Sequence, residues 1–151
     1  MTIAVGDPAP DFELRSQERA TVSPADLRGS KALIVFIPFP FTGICDGEGC
    51  AFRDNLAQLN ELGAKVVVIT VHAIPTNKKW ADEHGFAFPV LSDFWPHGET
   101  ATAYGAFNET LGVANRRTVV LDADGVIRQI IETDSLGVGR EFDEYVAALE
   151  T

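Results

Sequence analysis

ALIVFIPFPFTGIC, residues 32–45, carries the most informative pattern in the chain. Its first six residues are apolar, rich in β-branched types and without polar alternation, which is typical of a strand buried on both faces of a sheet. The apolar run is broken by Pro38 and Pro40, and the chain then enters a predicted helix. Open α/β sheets place their reactive groups just beyond the carboxyl ends of such strands. We therefore expect the chemistry of this protein in the segment after residue 37.

A second apolar run, residues 65–71, predicts another central strand, and the residues between the two runs have helical spacing. The apolar positions with this spacing are Phe52, Leu56, Leu59 and Leu62. We expect the helix to end near Gly63, because glycine is common at the carboxyl ends of helices. Two parallel strands joined by a helix cross over right-handed, so this helix should cover one face of the sheet.

The chain downstream continues the alternation of helices and strands. Pro75 can open a second helix that carries Trp80 and stops before Gly85, and a short strand follows around residues 88–91. Two β-rich runs, Thr118 to Asp122 and Val126 to Ile131, flank an Asp-Gly turn and predict an antiparallel hairpin.

The last part of the chain predicts a helix, since its apolar residues again have helical spacing. These residues are Phe142, Tyr145, Val146 and Leu149. We expect this helix to dock on the other face of the sheet. Together the elements predict an α/β fold with a mixed central sheet and helices on both faces. No repeat or linker-like tract divides the sequence, so we expect one domain over residues 1–151.

Composition and charge argue against several classes of function. The 151 residues include 12 Lys plus Arg and 22 Asp plus Glu, a formal charge of −10, so nucleic acids and anionic lipid surfaces would repel the protein at long range. The longest apolar run is too short to span a bilayer, and the amino terminus lacks the pattern of a signal peptide. We therefore expect a cytoplasmic protein that binds neither nucleic acid nor membrane.

The two cysteines of the chain, Cys45 and Cys50, predict chemistry rather than structural support. A domain of this size needs no disulfide to be stable, and neighbouring thiols in a reducing compartment more often serve redox or metal chemistry. The three histidines have no metal-ligand spacing, so we expect no metal. The glycine pairs lack the third glycine of a dinucleotide-binding motif, and we expect no cofactor.

Cys45 is the leading candidate for a nucleophile. Thr42 is a suitable N-cap residue, which places Cys45 in the first helical turn. Free N–H groups and the positive end of the helix dipole favour a thiolate there over a thiol. Such a thiolate can attack a disulfide, a carbonyl or a peroxide oxygen, and its position does not choose among them. The alternative is that Cys45 is a small buried apolar residue beside a proline turn.

The segment also resembles the active-site signature of the peroxiredoxins, which is proline, three residues, threonine or serine, two residues and cysteine. Pro38, Thr42 and Cys45 match it, and further similarity extends over residues 6–12 and 88–108. The resemblance, closest to a one-cysteine subgroup, implies a thioredoxin-like fold and a peroxidase that reduces hydrogen peroxide and organic hydroperoxides. It also implies a homodimer and a thiol reductant such as thioredoxin, mycoredoxin or a low-molecular-weight thiol.

The same resemblance implies a role for each matching residue. Cys45 is the peroxidatic cysteine, Thr42 supplies a hydroxyl that hydrogen-bonds thiolate and peroxide, and Pro38 shields the pocket from water. The family also uses an arginine from a later strand, and Arg116 takes that position. Adjacent side chains on a strand face opposite ways, so we interpret Arg117 as a solvated surface residue. Glu48 matches an acid that orients the arginine, although one Glu in a first helical turn also simply stabilises the helix.

Cys50 leaves two interpretations open. Five residues of intact helix place its Cα roughly 9 Å from that of Cys45, beyond the limit of about 7 Å for a disulfide, so a bridge requires unwinding. Gly47 and Gly49 make this turn easier to open, since each glycine in a helix interior costs about 1 kcal/mol. The spacing resembles the Q-type peroxiredoxins, in which the second cysteine resolves the sulfenic acid as an intramolecular disulfide. The alternative is a cysteine that packs in the core.

Two other functions remain as alternatives. A thioredoxin-like disulfide exchanger is disfavoured because such modules separate their cysteines by two residues. A redox sensor would oxidise at Cys45 without turnover.

Overall fold

The computed structural model describes residues 3–150, which form nine strands and six helices. The strands are β1 (Leu14–Arg15), β2 (Thr21–Val22), β3 (Lys31–Phe36), β4 (Ala64–Thr70), β5 (Val90–Ser92), β6 (Phe107–Asn108), β7 (Val113–Ala114), β8 (Arg117–Leu121) and β9 (Ile127–Glu132). The helices are α1 (Pro24–Leu27), α2 (Gly43–Asp54), α3 (Leu56–Glu61), α4 (Ile74–His84), α5 (Glu99–Ala103) and α6 (Phe142–Leu149). None of these helices is both long enough and apolar enough to cross a membrane.

Seven strands form one mixed sheet in the order β2-β1-β5-β4-β3-β8-β9. β3, β4 and β5 are parallel neighbours, whereas β8 runs antiparallel to both β3 and β9. The predicted central strands and the predicted hairpin are therefore confirmed. Both parallel crossovers step in the same direction along the sheet, and right-handed crossovers of this kind place α2, α3 and α4 on one face. The other face is covered by α1, α5 and Phe12.

The predicted position of the last helix is wrong. α6 packs on the same face as α2, where the ring of Tyr145 stacks on that of Phe52 with centroids 5.1 Å apart and Phe142 meets Phe52 edge-on. Helical spacing identifies which side of a helix is buried but not which sheet face receives it. Contacts made just before α6, from Arg140 to Glu48 of α2 and to the Phe36 carbonyl of β3, fix this face.

The helix predicted between the two central strands is divided in two at Asn55. This residue leaves the helical conformation, with φ −116° and ψ 17°, and its side-chain amide donates to the carbonyl of Ala51. Asparagine competes in this way for backbone partners, which is why it favours helix ends. Phe52 and Leu59 are buried as the spacing predicted.

The helix predicted at Pro75 is present as α4 and ends at Gly85, which adopts the left-handed conformation with φ +68°. The strand predicted around residues 88–91 lies slightly later, at β5. Because β3, β4 and β5 are parallel, their carboxyl ends lie at the same edge of the sheet. The candidate site begins at the carboxyl end of β3.

Candidate active site

The segment after β3 makes a tight turn that delivers Cys45 into the protein interior. Phe41 adopts a positive φ of +71°, and α2 begins directly after Thr42, the N-cap residue. Cys45 is the third residue of α2, in the first helical turn as predicted, and its side chain is 0% exposed. Pro38 is also buried, immediately beyond the strand.

Thr42 holds the turn by a contact that the sequence did not predict. Its hydroxyl donates to the carbonyl of Phe39 over 2.6 Å and makes no capping hydrogen bond to the helix. The backbone of Thr42 is extended, which is the conformation of an N-cap residue. Its side chain stabilises the preceding loop instead of the helix end. The Thr42 hydroxyl is therefore bonded to the loop, and the sulfur of Cys45 has other donors.

Two donors point at the sulfur of Cys45. Nη2 of Arg116 lies 3.1 Å from Sγ, and the backbone N–H of Phe39 lies 3.4 Å from it. The guanidinium places a positive charge directly beside the sulfur, where it can stabilise negative charge that develops in a reaction. The structure thus brings Arg116 to Cys45, 71 positions away in sequence.

Arg116 is held by three contacts and is 2% exposed. Besides the sulfur, its Nε donates to the carbonyl of Leu136 over 2.7 Å and its Nη1 donates to Oε1 of Glu48 over 2.5 Å. These bonds leave the guanidinium little freedom to turn away. Glu48 is itself buried and contacts this arginine directly, and its orienting role stays a prediction.

Arg117 faces away from the sulfur, as the alternation of side chains along a strand requires. It is not simply solvated, however, which corrects the sequence interpretation. Its guanidinium bonds Glu132 through Nε at 2.9 Å and donates to the carbonyl of Tyr104 over 3.1 Å. Sequence alone did not reveal these partners because they lie on the neighbouring strand and on the segment after α5.

Arg140 is the main site residue that the sequence analysis missed. Its Nε and its backbone N–H both donate to Oε2 of Glu48 over 2.8 Å, and its Nη2 donates to the carbonyl of Phe36. It matches no motif, because its loop wraps back onto α2 from far along the chain. The adjacent Gly139 is the sequence feature that could have indicated close packing of this loop on α2, since a Cβ there would lie 3.1 Å from Ile44.

Glu48 therefore lies between two arginines in a buried cluster. Burial raises the pKa of its carboxyl, but the hydrogen bonds and charge of Arg140, together with the charge of Arg116, outweigh burial and hold this pKa below its ordinary value. The carboxylate stays ionised at neutral pH and compensates the charge of both guanidinium groups. Removal of one partner from such a buried set leaves an uncompensated charge.

Cys50 lies on the same unbroken helix as Cys45, and both thiols are free. It is half-buried and packs at the edge of the core on the α2 side of the sheet. Its Sγ lies 3.8 Å from Nδ1 of His84. The unbroken helix keeps the two cysteines apart in this state, as the spacing predicted.

The glycines between the cysteines differ in their surroundings, and we expect their alanine variants to differ in stability. A Cβ on Gly49 would lie 2.5 Å from Cζ of Phe86, whereas a Cβ on Gly47 would meet no atom within 4 Å. Alanine gains about 1 kcal/mol of helix propensity, but overpacking costs about 1–3 kcal/mol. Urea titration should show a lower free energy of unfolding for Gly49→Ala and a higher one for Gly47→Ala. Equal stabilisation of both variants would contradict the close packing at Gly49.

Within residues 3–150, no group of three His, Cys, Asp or Glu side chains could hold a metal ion. The chemistry that the arrangement supports is that of a buried thiol beside a fixed cation.

Known proteins are similar to the chain in both sequence and fold. Residues 5–130 match the AhpC/TSA family. Alkyl hydroperoxide reductase E of Mycobacterium tuberculosis is 50% identical over 125 residues, which cover 82% of each protein. The crystal structure of AhpC from Enterococcus faecalis matches with a TM-score of 0.88 and 29% identity, over 97% of this chain and 90% of that one. Peroxidoxin BcpB of Mycobacterium tuberculosis matches with a TM-score of 0.83 and 28% identity, over 97% and 96%.

These matches confirm the resemblance that Pro38, Thr42 and Cys45 indicated, and the sheet with helices on both faces confirms the predicted thioredoxin-like fold. A hydroperoxide substrate and a thiol reductant follow from membership of this family. The chain belongs to the AhpC/TSA family of peroxiredoxins and is a thiol-dependent peroxidase.

Proposed function

We propose that Cys45 is the peroxidatic cysteine of this enzyme and that it reduces hydrogen peroxide and organic hydroperoxides. The observation that carries the proposal is the buried sulfur with Arg116 and the Phe39 N–H as donors. The thiolate attacks one peroxide oxygen, an S–O bond forms and the O–O bond breaks. The departing oxygen takes a proton and leaves as water or an alcohol, and Cys45 becomes a sulfenic acid.

Negative charge moves from sulfur to the departing oxygen during this step. Donors already in place stabilise that charge without reorganisation, which is the main way that a fixed polar site lowers a barrier. Arg116 is placed to do so, with Glu48 as the residue that positions it. For Thr42 we propose that the hydroxyl exchanges its bond to the Phe39 carbonyl for one to the peroxide, and for Pro38 that its ring keeps water from the sulfur.

We propose Cys50 as the resolving cysteine. Its thiol attacks the sulfenic sulfur, a disulfide forms and water leaves. The first turns of α2 must unwind for this step, and the exposed Ile44 and Phe41 at the start of the helix are only lightly packed. An external thiol, such as thioredoxin, mycoredoxin or a low-molecular-weight thiol in a reducing cytoplasm, then reduces the disulfide.

We also propose that two copies of the chain form a homodimer. Large apolar side chains are exposed in the segments that follow β3 and β5, with Phe41 43% and Trp95 82% exposed. Exposed apolar side chains of this size are common at interfaces between subunits. Analytical ultracentrifugation tests the proposal, and a monomer at micromolar concentration would contradict it.

Oxidation of the wild type and of Cys50→Ser with one equivalent of hydrogen peroxide tests the thiol assignments. We expect the wild type to lose two hydrogens and both free thiols, because the sulfenic acid is captured by Cys50. We expect Cys50→Ser to gain one oxygen at Cys45, since no second thiol is present. Intact mass and a free-thiol count distinguish the products. A wild type that gains one oxygen and keeps one thiol would make the protein a one-cysteine enzyme.

A further inference from the structure

His84 connects the surroundings of the two cysteines. It is the last residue of α4, and its Nδ1 lies 3.8 Å from Sγ of Cys50. Its other ring nitrogen, Nε2, lies 3.5 Å from Oδ2 of Asp46, the residue directly after Cys45. One imidazole thus contacts the second thiol on one side and a carboxylate beside the first thiol on the other.

The orientation of the imidazole is fixed from several sides. Its ring stacks on Phe86 with centroids 5.4 Å apart and an interplanar angle of 18°. Trp80 meets the ring edge-on, with centroids 6.4 Å apart. These rings fix the plane of the imidazole, and the contacts of Nδ1 with Cys50 and of Nε2 with Asp46 decide which edge of the ring faces each residue.

Asp46 is itself held in place and completes the arrangement. Its Oδ1 accepts hydrogen bonds from Nε1 of Trp80 over 2.7 Å and from the backbone N–H of Phe41 over 3.1 Å. With Oδ1 occupied, Oδ2 is the oxygen that faces His84. A hydrogen on Nε2 that points to this carboxylate leaves Nδ1 as an acceptor for the Cys50 proton.

A nucleophile in contact with a base that a third group orients is the arrangement by which enzymes activate thiols and hydroxyls. We propose that His84, oriented by Asp46 while α2 is intact, is the general base that takes the proton of Cys50 and so prepares its thiolate for the resolution step. The inference rests on the proposed role of Cys50. The proton moves from Cys50 Sγ to Nδ1, and once the first turns of α2 unwind the sulfur attacks the Cys45 sulfur and the S–O bond breaks. The departing hydroxide takes a proton from solvent to become water, and the imidazolium returns its proton to solvent.

The charges around the cluster support a transient imidazolium and thiolate. His84 lies at the carboxyl end of α4, where the helix dipole favours a cation, and the Asp46 carboxylate is on its other side. Arg53, one turn after Cys50 on α2, donates to the carbonyl of His84 over 2.8 Å. The pKa of Arg53 is raised mainly by its hydrogen bond to Asp54 and further by the charge of Cys50, which places a cation near that sulfur.

Single-turnover oxidation of His84→Ala tests the inference. After one equivalent of hydrogen peroxide, a thiol-blocking quench and intact mass follow sulfenic acid and disulfide separately. We expect sulfenic acid to form at the wild-type rate and the disulfide to form about a hundredfold more slowly, the usual effect of losing a general base. Added imidazole should restore much of the rate, because it can occupy the space left by the side chain.

Glu83→Gln is the matched control, since Glu83 is the preceding residue on α4 and pairs with Lys79 at the surface. We expect both of its rates to equal those of the wild type. His84→Gln keeps much of the ring's volume without a base and should also form the disulfide slowly, whether or not imidazole is added.

Three results would overturn the inference. A wild-type rate of disulfide formation in His84→Ala would make the imidazole a spectator. Slow formation that imidazole does not restore would give His84 a purely structural role. Oxidation of wild-type Cys45 without any disulfide would remove the resolving role of Cys50 and the inference with it. In the first two cases the wild type still forms its disulfide, so the proposed function would stand.

Discussion

Replacing Arg116 with methionine should lower the second-order rate constant for oxidation of Cys45 by hydrogen peroxide about 10²–10³-fold, the range observed when a fixed donor to transition-state charge is removed. Methionine keeps an unbranched side chain but supplies neither the charge nor the Nη2 donor to sulfur. The Glu48 carboxylate still pairs with Arg140 in this variant, so the buried cluster keeps one ion pair. Quenched-flow sampling at several peroxide concentrations, with intact mass as readout, gives the rate constant.

Arg117→Met is the matched control for this experiment. It removes the same chemical group from the next residue, whose guanidinium bonds Glu132 away from the sulfur. We expect its oxidation rate to remain within about twofold of the wild type, because its guanidinium bonds Glu132 and the Tyr104 carbonyl rather than Cys45. Equal rates in both variants would show that no cation next to Cys45 is needed for the attack on peroxide.

Five strands of the sheet, β3, β4, β5, β8 and β9, were predictable from sequence because buried strands are apolar runs and the hairpin has a characteristic turn. The strands β1 and β2 were not predicted, since two residues are too few to show a periodic pattern. The position of Cys45 was predictable for a similar reason, since a strand end and the beginning of a helix adjoin in sequence. Local patterns do not record long-range packing, however. The helix α6 was placed on the wrong face, because its spacing is the same on either side of the sheet.

Arg140 and His84 were missed for the same reason, because their contacts are long-range. Arg140 reaches Glu48 across 92 positions, and His84 reaches Cys50 across 34. No fixed spacing identifies either pair, because the separation depends on the lengths of the intervening elements. The division of the predicted helix at Asn55 is a different case, in which a side chain competing for backbone partners outweighed the apolar periodicity.

Glu48→Gln should produce the largest loss of stability among these variants. Glutamine has nearly the same shape but leaves Arg116 and Arg140 buried without a compensating charge, and breaking a buried ion pair by removal of one partner costs about 3–5 kcal/mol. The free energy of unfolding at pH 7, from urea titration followed by fluorescence of the buried Trp80, measures the loss. Glu132→Gln, which removes the exposed acid of the Arg117 pair, is the control and should cost at most about 1 kcal/mol.

The difference in stability between the wild type and Glu48→Gln should depend on pH. The carboxyl of Glu48 has a lower pKa in the folded protein than the value of 4.5 expected for an unfolded chain, because Arg140 and Arg116 outweigh its burial. A depressed pKa contributes stability that is fully present above the unfolded value and is lost as the pH falls through the folded value. The difference between wild type and Glu48→Gln should therefore be greatest at pH 7 and shrink below pH 4.5. A difference that stayed constant over this range would attribute the loss to altered packing, because the titration of Glu48 is what distinguishes the two proteins there.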